Sequence, residues 1–458
     1  MLFNSYAFLL VFLPLALALH GLADRYAPEW RLHVILLISF AFYAYWDWRM
    51  LPLMLVSIGI NWLIAQAFHR TGRGTLVTLA IVINLSVLAF FKYTGFLVDT
   101  ANSVGNFGIF RPEIVLPLGI SFFSFHHVMY LVDLRAGKAP RFDLTRYALY
   151  IAFFPQVLAG PLVRWSEIMH QFNERPFREG WERRTAQGLI LLVLGLMKKV
   201  FVGDPLSEYA TPIFADAAAG LPITFLQAMQ GIFSYGFQIY FDFSGYTDMA
   251  IGIGLMFGIL LPQNFNVPYR ATSLQEFWRR WHMTLSRFLR DYLYVALGGN
   301  RFGLGVQIFA LFATMALGGL WHGAGWAFVA WGVAHGIGLC VGLFWRRANL
   351  PMPLWLGWLS TFVFVMLVWV LFRSTTFEAA MAVYKGLFGL NGFGFWSEFK
   401  WRALAAAAVL AIVGPTSFVI SEKVPMKPWA AALLALFFVL VLLKIGDDAN
   451  YEFIYFQF

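Results

Sequence analysis

Residues 304–345 read LGVQIFALFATMALGGLWHGAGWAFVAWGVAHGIGLCVGLFW, and stretches of this kind decide the fold. The stretch contains no Asp, Glu, Lys or Arg, although Arg301, Arg346 and Arg347 flank it. A helix that crosses the apolar core of a bilayer needs about 20 mostly apolar residues. We therefore expect two membrane helices here, over residues 304–320 and 325–345, joined close to His322.

Similar apolar runs recur along all 458 residues. The chain is 60% hydrophobic and 12% charged, whereas soluble domains carry about 25% charged residues. The sequence predicts an all-α polytopic membrane protein with about 11–13 membrane segments, some of them too short to span and therefore re-entrant or interfacial. The runs lie around residues 5–22, 32–48, 50–67, 75–93, 114–133, 186–203, 223–241, 246–262, 304–320, 325–345, 353–372, 403–420 and 428–444. The first lacks the basic start and cleavage site of a signal peptide, so we expect it to be a retained span.

The net charge of +9 is concentrated in short loops between the apolar runs. The positive-inside rule places these basic loops in the cytoplasm and the acidic residues after Lys199 on the outer side. Strict alternation of the spans does not satisfy every loop, so we expect the run 149–160 to enter and leave on one side. Cys340 is the only cysteine, which excludes an intrachain disulfide, and its apolar neighbours indicate a packing residue.

Polar groups interrupt the apolar runs in a few places. An ionisable side chain at the middle of a bilayer costs about 3 kcal/mol or more, so such groups mark functional or tightly packed positions. His126 and His127 lie within one run, and prolines break the segment FFPQVLAGPLVR at residues 153–164. Irregular backbone at membrane depth must be surrounded by protein or a water-filled cavity. Asp242 and Asp248 fall between two runs, as a helix-capping turn or as the polar lining of a substrate channel.

Residues 275–294, QEFWRRWHMTLSRFLRDYLY, contain no proline or glycine and predict one uninterrupted amphipathic helix. Such a helix lies in the membrane interface rather than across it, and anchoring to anionic lipid would by itself explain its arginines. His282 at the edge of the apolar face fits that interpretation less well and is a candidate functional residue. The apolar face collects Phe277, Trp278, Trp281, Leu285, Phe288, Leu289 and Tyr292, and the polar face collects Arg279, Arg280, Arg287, Arg290 and Asp291.

His322 lies between Trp321 and Gly323 in a glycine- and tryptophan-rich setting. Burial among apolar groups disfavours the imidazolium ion, and a neutral imidazole can take a proton from an attacking hydroxyl. A histidine that hydrogen-bonds between helices is the structural alternative. His335 fits that packing role better than a catalytic one.

Several functions have no support in the sequence. The phosphate-binding loop GxxxxGK[ST] and the zinc motif HExxH do not occur, and no metal site is expected. The halves show no repeat of the kind that many secondary transporters carry. The basic residues flank membrane segments, so no nucleic-acid partner is expected; membrane lipid is.

Eight motifs together resemble the membrane-bound O-acyltransferase family over nearly the whole chain. The likeness is to its bacterial branch, which includes the membrane subunit of alginate O-acetylation and the D-alanyl transfer protein of teichoic acids. The motifs are MLFNSYAFLLVFLP at the N-terminus, LPLGISFFSFHHVMYLVD, FFPQVLAGPLVR, YFDFSGYTDMAIG, NFNVPYRATSLQEFWRRWHMTLSRFLRDYLY, GGLWHGAGWAFVAWG and WVLFRSTTFEAA, followed by a terminal FIYFQF. The resemblance implies a single domain over residues 1–458, with a core at 115–375, in which helices and re-entrant segments surround a central funnel or tunnel.

The resemblance also implies catalytic roles. It matches His322 to the family's intramembrane histidine and His282 to a second polar residue upstream, whereas the pair at 126–127 receives no role. A thioester donor, acetyl-CoA or an acyl-carrier protein, would approach a cytoplasmic face formed partly by Arg279, Arg280, Arg287 and Arg290, since arginine suits phosphate groups. No permanently bound cofactor is implied. A periplasmic acetyltransferase is the partner expected to pass the acetyl group to the polysaccharide.

Three functions remain in competition at this point. The first is O-acetylation of an exported polysaccharide such as alginate by an enzyme of the bacterial inner membrane. The second is D-alanyl transfer to teichoic acid. The third is transport of an acyl donor or a polysaccharide without chemistry.

Overall fold

The computed structural model describes residues 1–105 and 107–447, and within these residues the secondary structure is helical, with no strand. The terminal FIYFQF motif lies outside the described residues. In chain order the α-helices are α1 (Leu13–Tyr26), α2 (Arg31–Asp47), α3 (Leu51–Thr71), α4 (Gly74–Gly105), α5 (Ile120–Arg135), α6 (Leu144–Ala152), α7 (Phe154–Val157), α8 (Trp165–Ile168), α9 (Trp181–Met197), α10 (Asp204–Ala218), α11 (Phe225–Met256), α12 (Leu274–Arg280), α13 (Met283–Phe288), α14 (Leu304–His322), α15 (Trp326–Arg347), α16 (Leu354–Arg373), α17 (Phe377–Leu387), α18 (Trp401–Ile412), α19 (Ser417–Lys423) and α20 (Pro428–Asp447). Three π-helical turns cover Ala7–Phe12, Lys198–Gly203 and Leu289–Tyr294.

The described chain forms two compact units. The first comprises Met1–Leu194, Tyr246–Pro262 and Val424–Asp447, and the second comprises Gly195–Gly245 and Gln263–Lys423. Two of the boundaries between the units fall within α9 and α11.

The apolar helices confirm a polytopic membrane protein. Seven helical stretches of the described chain are long and apolar enough to cross a membrane, or eight if the bent pair α18–α19 counts as one span. They are Ala7–Tyr26, Pro28–Thr71, Gly74–Gly105, Leu304–His322, Trp326–Arg347, Leu354–Arg373 and Pro428–Ile445.

This number is smaller than the 11–13 segments expected, because several apolar runs form merged or short helices. The runs 223–241 and 246–262 are both parts of the 32-residue α11. The run 114–133 yields only the 16 residues of α5. The runs 32–48 and 50–67 share the 44-residue stretch Pro28–Thr71, in which Asp47 adopts an extended conformation (φ −152°, ψ 102°) and interrupts the helix.

The proline-broken segment lies in the core of the first unit. Helix α6 begins at Asp143, whose carboxylate accepts a hydrogen bond from the backbone N–H of Arg146, and ends at Ala152. Every residue from 147 to 163 is buried. Protein therefore surrounds the irregular backbone, as expected for such a segment at membrane depth. Whether it enters and leaves the bilayer on the same side stays a prediction.

Helices α14 and α15 form an antiparallel hairpin in the second unit. A Cβ atom at Gly319 would collide with the backbone carbonyl of Phe328, and one at Gly332 would collide with that of Met315. Glycine at both positions lets the two backbones touch, which is how membrane helices pack closely without a hydrophobic driving force. The hairpin turns at residues 323–325, and its closed end carries His322.

Candidate active site

His322 is the last residue of α14, and its side chain is buried with 5% of the residue exposed. The extended backbone of Gly323 (φ −158°, ψ 147°) ends the helix immediately after it. Three aromatic rings meet the imidazole edge to face, with centroid distances of 4.9 Å to Trp321, 5.1 Å to Trp331 and 5.2 Å to Phe372.

His282 lies at a break in the helix, so the prediction of one uninterrupted helix over 275–294 is wrong. Helix α12 ends at Arg280, α13 starts at Met283, and His282 between them has left-handed backbone angles (φ 41°, ψ 55°). A residue other than glycine rarely adopts this conformation unless its surroundings impose it. The predicted division into two faces is confirmed, because the residues of the apolar face from Phe277 to Leu289 are buried.

Asn264 holds the break in place. Its side-chain oxygen accepts hydrogen bonds from the Thr284 backbone N–H (3.2 Å) and hydroxyl (2.9 Å), and lies 3.1 Å from His282 Nδ1. The Asn264 backbone carbonyl also accepts from the N–H of Met283 (2.9 Å). Asn264 therefore caps α13 from a distant part of the sequence, and complete burial of His282 is the result.

The two candidate histidines meet a common tryptophan. The Trp321 ring lies 6.5 Å from the His282 ring and 4.9 Å from the His322 ring, measured between centroids. Phe243 of α11 contacts His282 edge to face at 4.8 Å. The second unit thus brings His282 and His322, which are forty positions apart in the sequence, into one aromatic cluster.

A cavity of about 510 Å³ lies beside the broken helix, within the second unit. Arginines and apolar side chains line it together. They are Gln275, Trp278, Arg279, Met283, Ser286, Arg287, Leu289, Arg290, Tyr294, Gln307, Leu311, Thr314, Met315, Leu339, Leu343 and Arg346. We call this space the arginine cavity.

The four arginines predicted to bind the donor do not all line the arginine cavity. Arg279, Arg287 and Arg290 line the arginine cavity, but Arg280 does not. Its guanidinium forms an ion pair with Glu276 (2.8 Å) and donates to the carbonyl of Asn266 (3.2 Å). Although burial opposes ionisation, the hydrogen bonds from Thr272 and Arg280 hold the pKa of Glu276 below its ordinary value. Arg280 therefore serves the local fold.

Arg346 takes a place in the cavity lining that the sequence did not assign. It lies in the last turn of α15, where a basic residue also interacts favourably with the helix dipole. The sequence shows it as one of two arginines at the end of an apolar run, which by itself indicates only the membrane boundary. Arg290 lies on the cavity rim and pairs with Asp291 (2.6 Å), whose hydrogen bond raises the pKa of Arg290.

Distances along α14 relate the arginine cavity to His322. With a rise of about 1.5 Å per residue, Gln307 lies about 22 Å and Met315 about 10 Å from His322 along the helix axis. Both residues line the cavity. The part of α14 that lines the cavity therefore extends from Gln307 to Met315 and ends about 10 Å from His322 along the helix axis.

His335 packs between this cavity and His322. The indole N–H of Trp278, a cavity residue, donates to His335 Nδ1 (3.3 Å), and the His335 ring lies 4.7 Å from Trp331. Trp331 in turn contacts His322. His335 is fully buried and links α12 to α15, in line with the packing role expected of it.

The other polar residues noted in the sequence lie on α5 and α11. His127 in the first unit is hydrogen-bonded to Ser57 Oγ (3.0 Å) and to the hydroxyl of Tyr147 (2.7 Å), which ties α3, α5 and α6 together. Asp242 and Asp248 lie inside α11, so the interpretation of this segment as a capping turn between two helices is wrong. The described residues contain no group of three or more His, Cys, Asp or Glu side chains placed to hold a metal ion.

Comparison with known proteins shows similarity to one family over most of the chain. A sequence model of the membrane-bound O-acyltransferase family matches residues 75–380, which include both histidines and the arginine cavity. A peptidoglycan O-acetyltransferase of Helicobacter pylori is 40% identical over 427 residues, covering 86% of this chain and 80% of the relative. A probable alginate O-acetylase of Pseudomonas putida is 35% identical over 502 residues, covering 100% of both chains. A teichoic acid D-alanyltransferase of Streptococcus thermophilus is 29% identical over 56% of this chain and 68% of the relative.

Proposed function

Because the chain belongs to the membrane-bound O-acyltransferase family and is a multi-pass membrane acyltransferase, we propose that it transfers acetyl groups from a cytoplasmic thioester for the O-acetylation of an exported polysaccharide. The membrane is the bacterial inner membrane. The polymer is of the alginate or peptidoglycan kind, the substrates named for the relatives that match most of the chain. The shorter and weaker match to a D-alanyltransferase makes D-alanyl transfer the second candidate.

The arginine cavity that leads toward His322 is the observation that carries this proposal. Thioester donors such as acetyl-CoA or an acyl-carrier protein hold their acyl group at the end of a long arm that bears phosphate. Arg279, Arg287 and Arg346, which all line the cavity, supply planar donor groups that suit phosphate. Apolar side chains line the remaining path, which suits the arm and a small acyl group. A transporter without chemistry would need no buried histidine beyond such a path.

His322 acts as the general base in the proposed reaction. Its neutral imidazole takes the proton of the acceptor hydroxyl as the hydroxyl oxygen attacks the thioester carbonyl. The carbon–sulfur bond then breaks, and the imidazolium returns the proton to the departing thiolate. The products are the acetyl ester, the free thiol and neutral His322, so no other reactant is consumed. His282 orients the aromatic cluster around His322.

The acyl group passes directly from donor to acceptor. Cys340, the chain's only cysteine, lies on α15 and is not among the residues that line the arginine cavity. A covalent thioester on this chain is therefore not part of the proposal. The acceptor hydroxyl belongs to a periplasmic acetyltransferase partner, which passes the acetyl group to the polymer.

Replacement of His322 tests this function. We expect His322→Ala to lower the ester acetate on the secreted polymer by at least about 100-fold, because general-base catalysis contributes roughly 10²–10⁴-fold. The measurement is base-labile acetate per mass of polymer in cells that contain equal amounts of the variant and the wild-type protein in the membrane. His69→Ala, which removes an exposed histidine, is the control and should acetylate normally.

Unchanged acetylation in His322→Ala would show that this histidine has no catalytic role. To separate the two acyl groups, polymers and cell wall are analysed for both acetate and D-alanine. Loss of esterified D-alanine with acetate unchanged would replace the first candidate by the second.

A further inference from the structure

A buried ion cluster, composed of Lys199, Asp204 and Asp242, lies within the second unit. The Lys199 ammonium donates hydrogen bonds to Asp242 Oδ1 (2.8 Å) and to Asp204 Oδ1 (3.0 Å). The side chains of Lys199 and Asp242 are 1% and 4% exposed. We call these three residues the lysine cluster. The mechanism above assigns them no role.

The charges of the lysine cluster are buried away from water, which costs free energy. Removing ions from water costs several kcal/mol per ion unless they are paired with good geometry. Lys199 also lies in the π-helical turn Lys198–Gly203, which joins α9 to α10. Such wide turns inside α-helices are frequent at functional sites. An apolar residue at each of these positions would pack α11 at lower cost, so a role beyond packing follows.

The backbones at the lysine cluster are in close contact. A Cβ atom at Gly245 of α11 would lie 2.7 Å from the carbonyl oxygen of Gly195 and 3.3 Å from the backbone N of Lys199. A Cβ atom at Gly203 would lie 3.2 Å from the backbone N of Asp242. Contact at this distance, together with the ion pair, fixes both the rotation and the axial position of α11.

Phe243 of α11 connects the lysine cluster to the candidate active site. Phe243 follows Asp242 and meets the His282 imidazole edge to face, at a centroid distance of 4.8 Å and an interplanar angle of 89°. Phe243 also contacts Phe265 at 5.0 Å, beside the asparagine that caps α13. A turn of α11 about its axis would therefore move the ring against which His282 rests.

We propose that the lysine cluster is a positioning device for His282, acting through Phe243. This inference rests on the proposed function, because its readout is acyl transfer. It makes Lys199, Asp204 and Asp242 positioning residues, and none of them touches the substrate.

The test is a double-mutant cycle between Lys199 and Phe243. The variants are Lys199→Met, Phe243→Leu and the double variant, measured as the initial rate of ester-acetate accumulation on the polymer at matched amounts of membrane protein. Residues that act as one unit show strongly non-additive effects. We expect each single variant to lower the rate about tenfold, and the double variant to lose no more than about twofold beyond the worse single variant. A double variant whose loss is the product of the two single losses overturns the proposal.

Two further variants guard against a general folding defect. Asp242→Asn leaves Lys199 paired with Asp204 alone, which changes the formal charge of the cluster from −1 to 0, and should lower the rate about threefold, again without compounding the loss in Phe243→Leu. Arg31→Met is the matched control, because Arg31 is a buried cation paired with Asp24 in the first unit. It should leave the rate per molecule within about twofold of wild type. Asp24 keeps its ion pair with Arg175 (3.2 Å) in this variant. A loss in Arg31→Met equal to that in Lys199→Met would indicate that removal of any buried cation is harmful, and would overturn the proposal.

His322→Ala, measured in parallel, separates the two levels of inference. Normal acetylation in that variant contradicts the proposed function. Loss of acetylation in His322→Ala, together with a wild-type rate in Lys199→Met, contradicts only the positioning role of the lysine cluster.

Discussion

His127 in the first unit and His322 in the second are both buried imidazoles, but their surroundings differ. Hydroxyl groups from α3 and α6 hydrogen-bond to both ring nitrogens of His127, and the backbone around it is buried in protein. His322 has three aromatic rings around it and lies beyond the inner end of the arginine cavity. The difference teaches that burial by itself does not identify a functional histidine. The hydrogen bonds of His127 link three helices of the first unit, whereas His322 lies on the helix that also lines the arginine cavity.

The largest effect after that of His322 itself is expected from Asn264→Ala. This substitution removes the oxygen that caps α13 and that lies against His282, so the strained backbone at His282 loses its support. Because misplacement of a catalytic group by about 1 Å costs about 100-fold, we expect acyl transfer to fall about 10- to 100-fold. The measurement is ester acetate per molecule of membrane protein. Asn266→Ala, at an exposed neighbouring position, is the control.

A normal rate in Asn264→Ala would contradict the view that the break at His282 is part of the active site. Of the two candidate histidines in the second unit, only His322 would then differ from His127 in its proposed role.

A smaller effect is expected at the arginine cavity, where Arg346→Gln and Arg280→Gln form a matched pair. Arg346 lines the cavity and Arg280 pairs with Glu276, so only the first should affect the donor. We expect Arg346→Gln to raise the apparent KM for acetyl-CoA in membrane vesicles about 3- to 10-fold with kcat unchanged, since a charge-assisted hydrogen bond contributes about 1.5–3 kcal/mol before screening. Arg280→Gln should change neither constant by more than about twofold. Equal effects in the two variants would contradict the assignment of the cavity as the donor site.

The smallest effect on activity is expected from His127→Phe. The aromatic ring remains, but the hydroxyl groups of Ser57 and Tyr147 lose their partner, which destabilises the first unit by about 1–3 kcal/mol. We expect a lower melting temperature of the purified protein and acyl transfer per folded molecule within about twofold of wild type. A loss of activity comparable with that of His322→Ala, at an unchanged melting temperature, would erase the distinction between the two histidines.

The sequence predicts those parts of this molecule that depend on local pattern. The apolar runs predict the membrane helices, the amphipathic pattern predicts which side chains of 275–294 are buried, and the setting of His322 predicts its burial. The resemblance to the family adds the choice of His282 and His322 over the pair at 126–127. These features depend on neighbours within a few turns of the chain.

The remaining features depend on partners far away in the sequence. The break at His282 requires Asn264, whose oxygen offers the backbone an alternative to the helix, and no pattern within 275–294 shows it. Asp242 stays inside a helix because Lys199 neutralises it from another helix. Arg280 and Arg346 look equivalent as basic residues near the membrane, and only the packing of α12 against α15 distinguishes them.

The touching backbones of α14 and α15 bear on how the enzyme moves. Because Gly319 and Gly332 leave no side-chain layer between these helices, the hairpin has no gap to widen and no soft contact to compress. The hairpin is therefore rigid, and His322 lies at its closed end. Any adjustment that admits a donor or releases a thiol must then come from the opposite wall, where two short helices meet at a strained joint. In the proposed mechanism the α14–α15 hairpin therefore holds the base in place, and the broken helix α12–α13 is the part that adjusts to the donor.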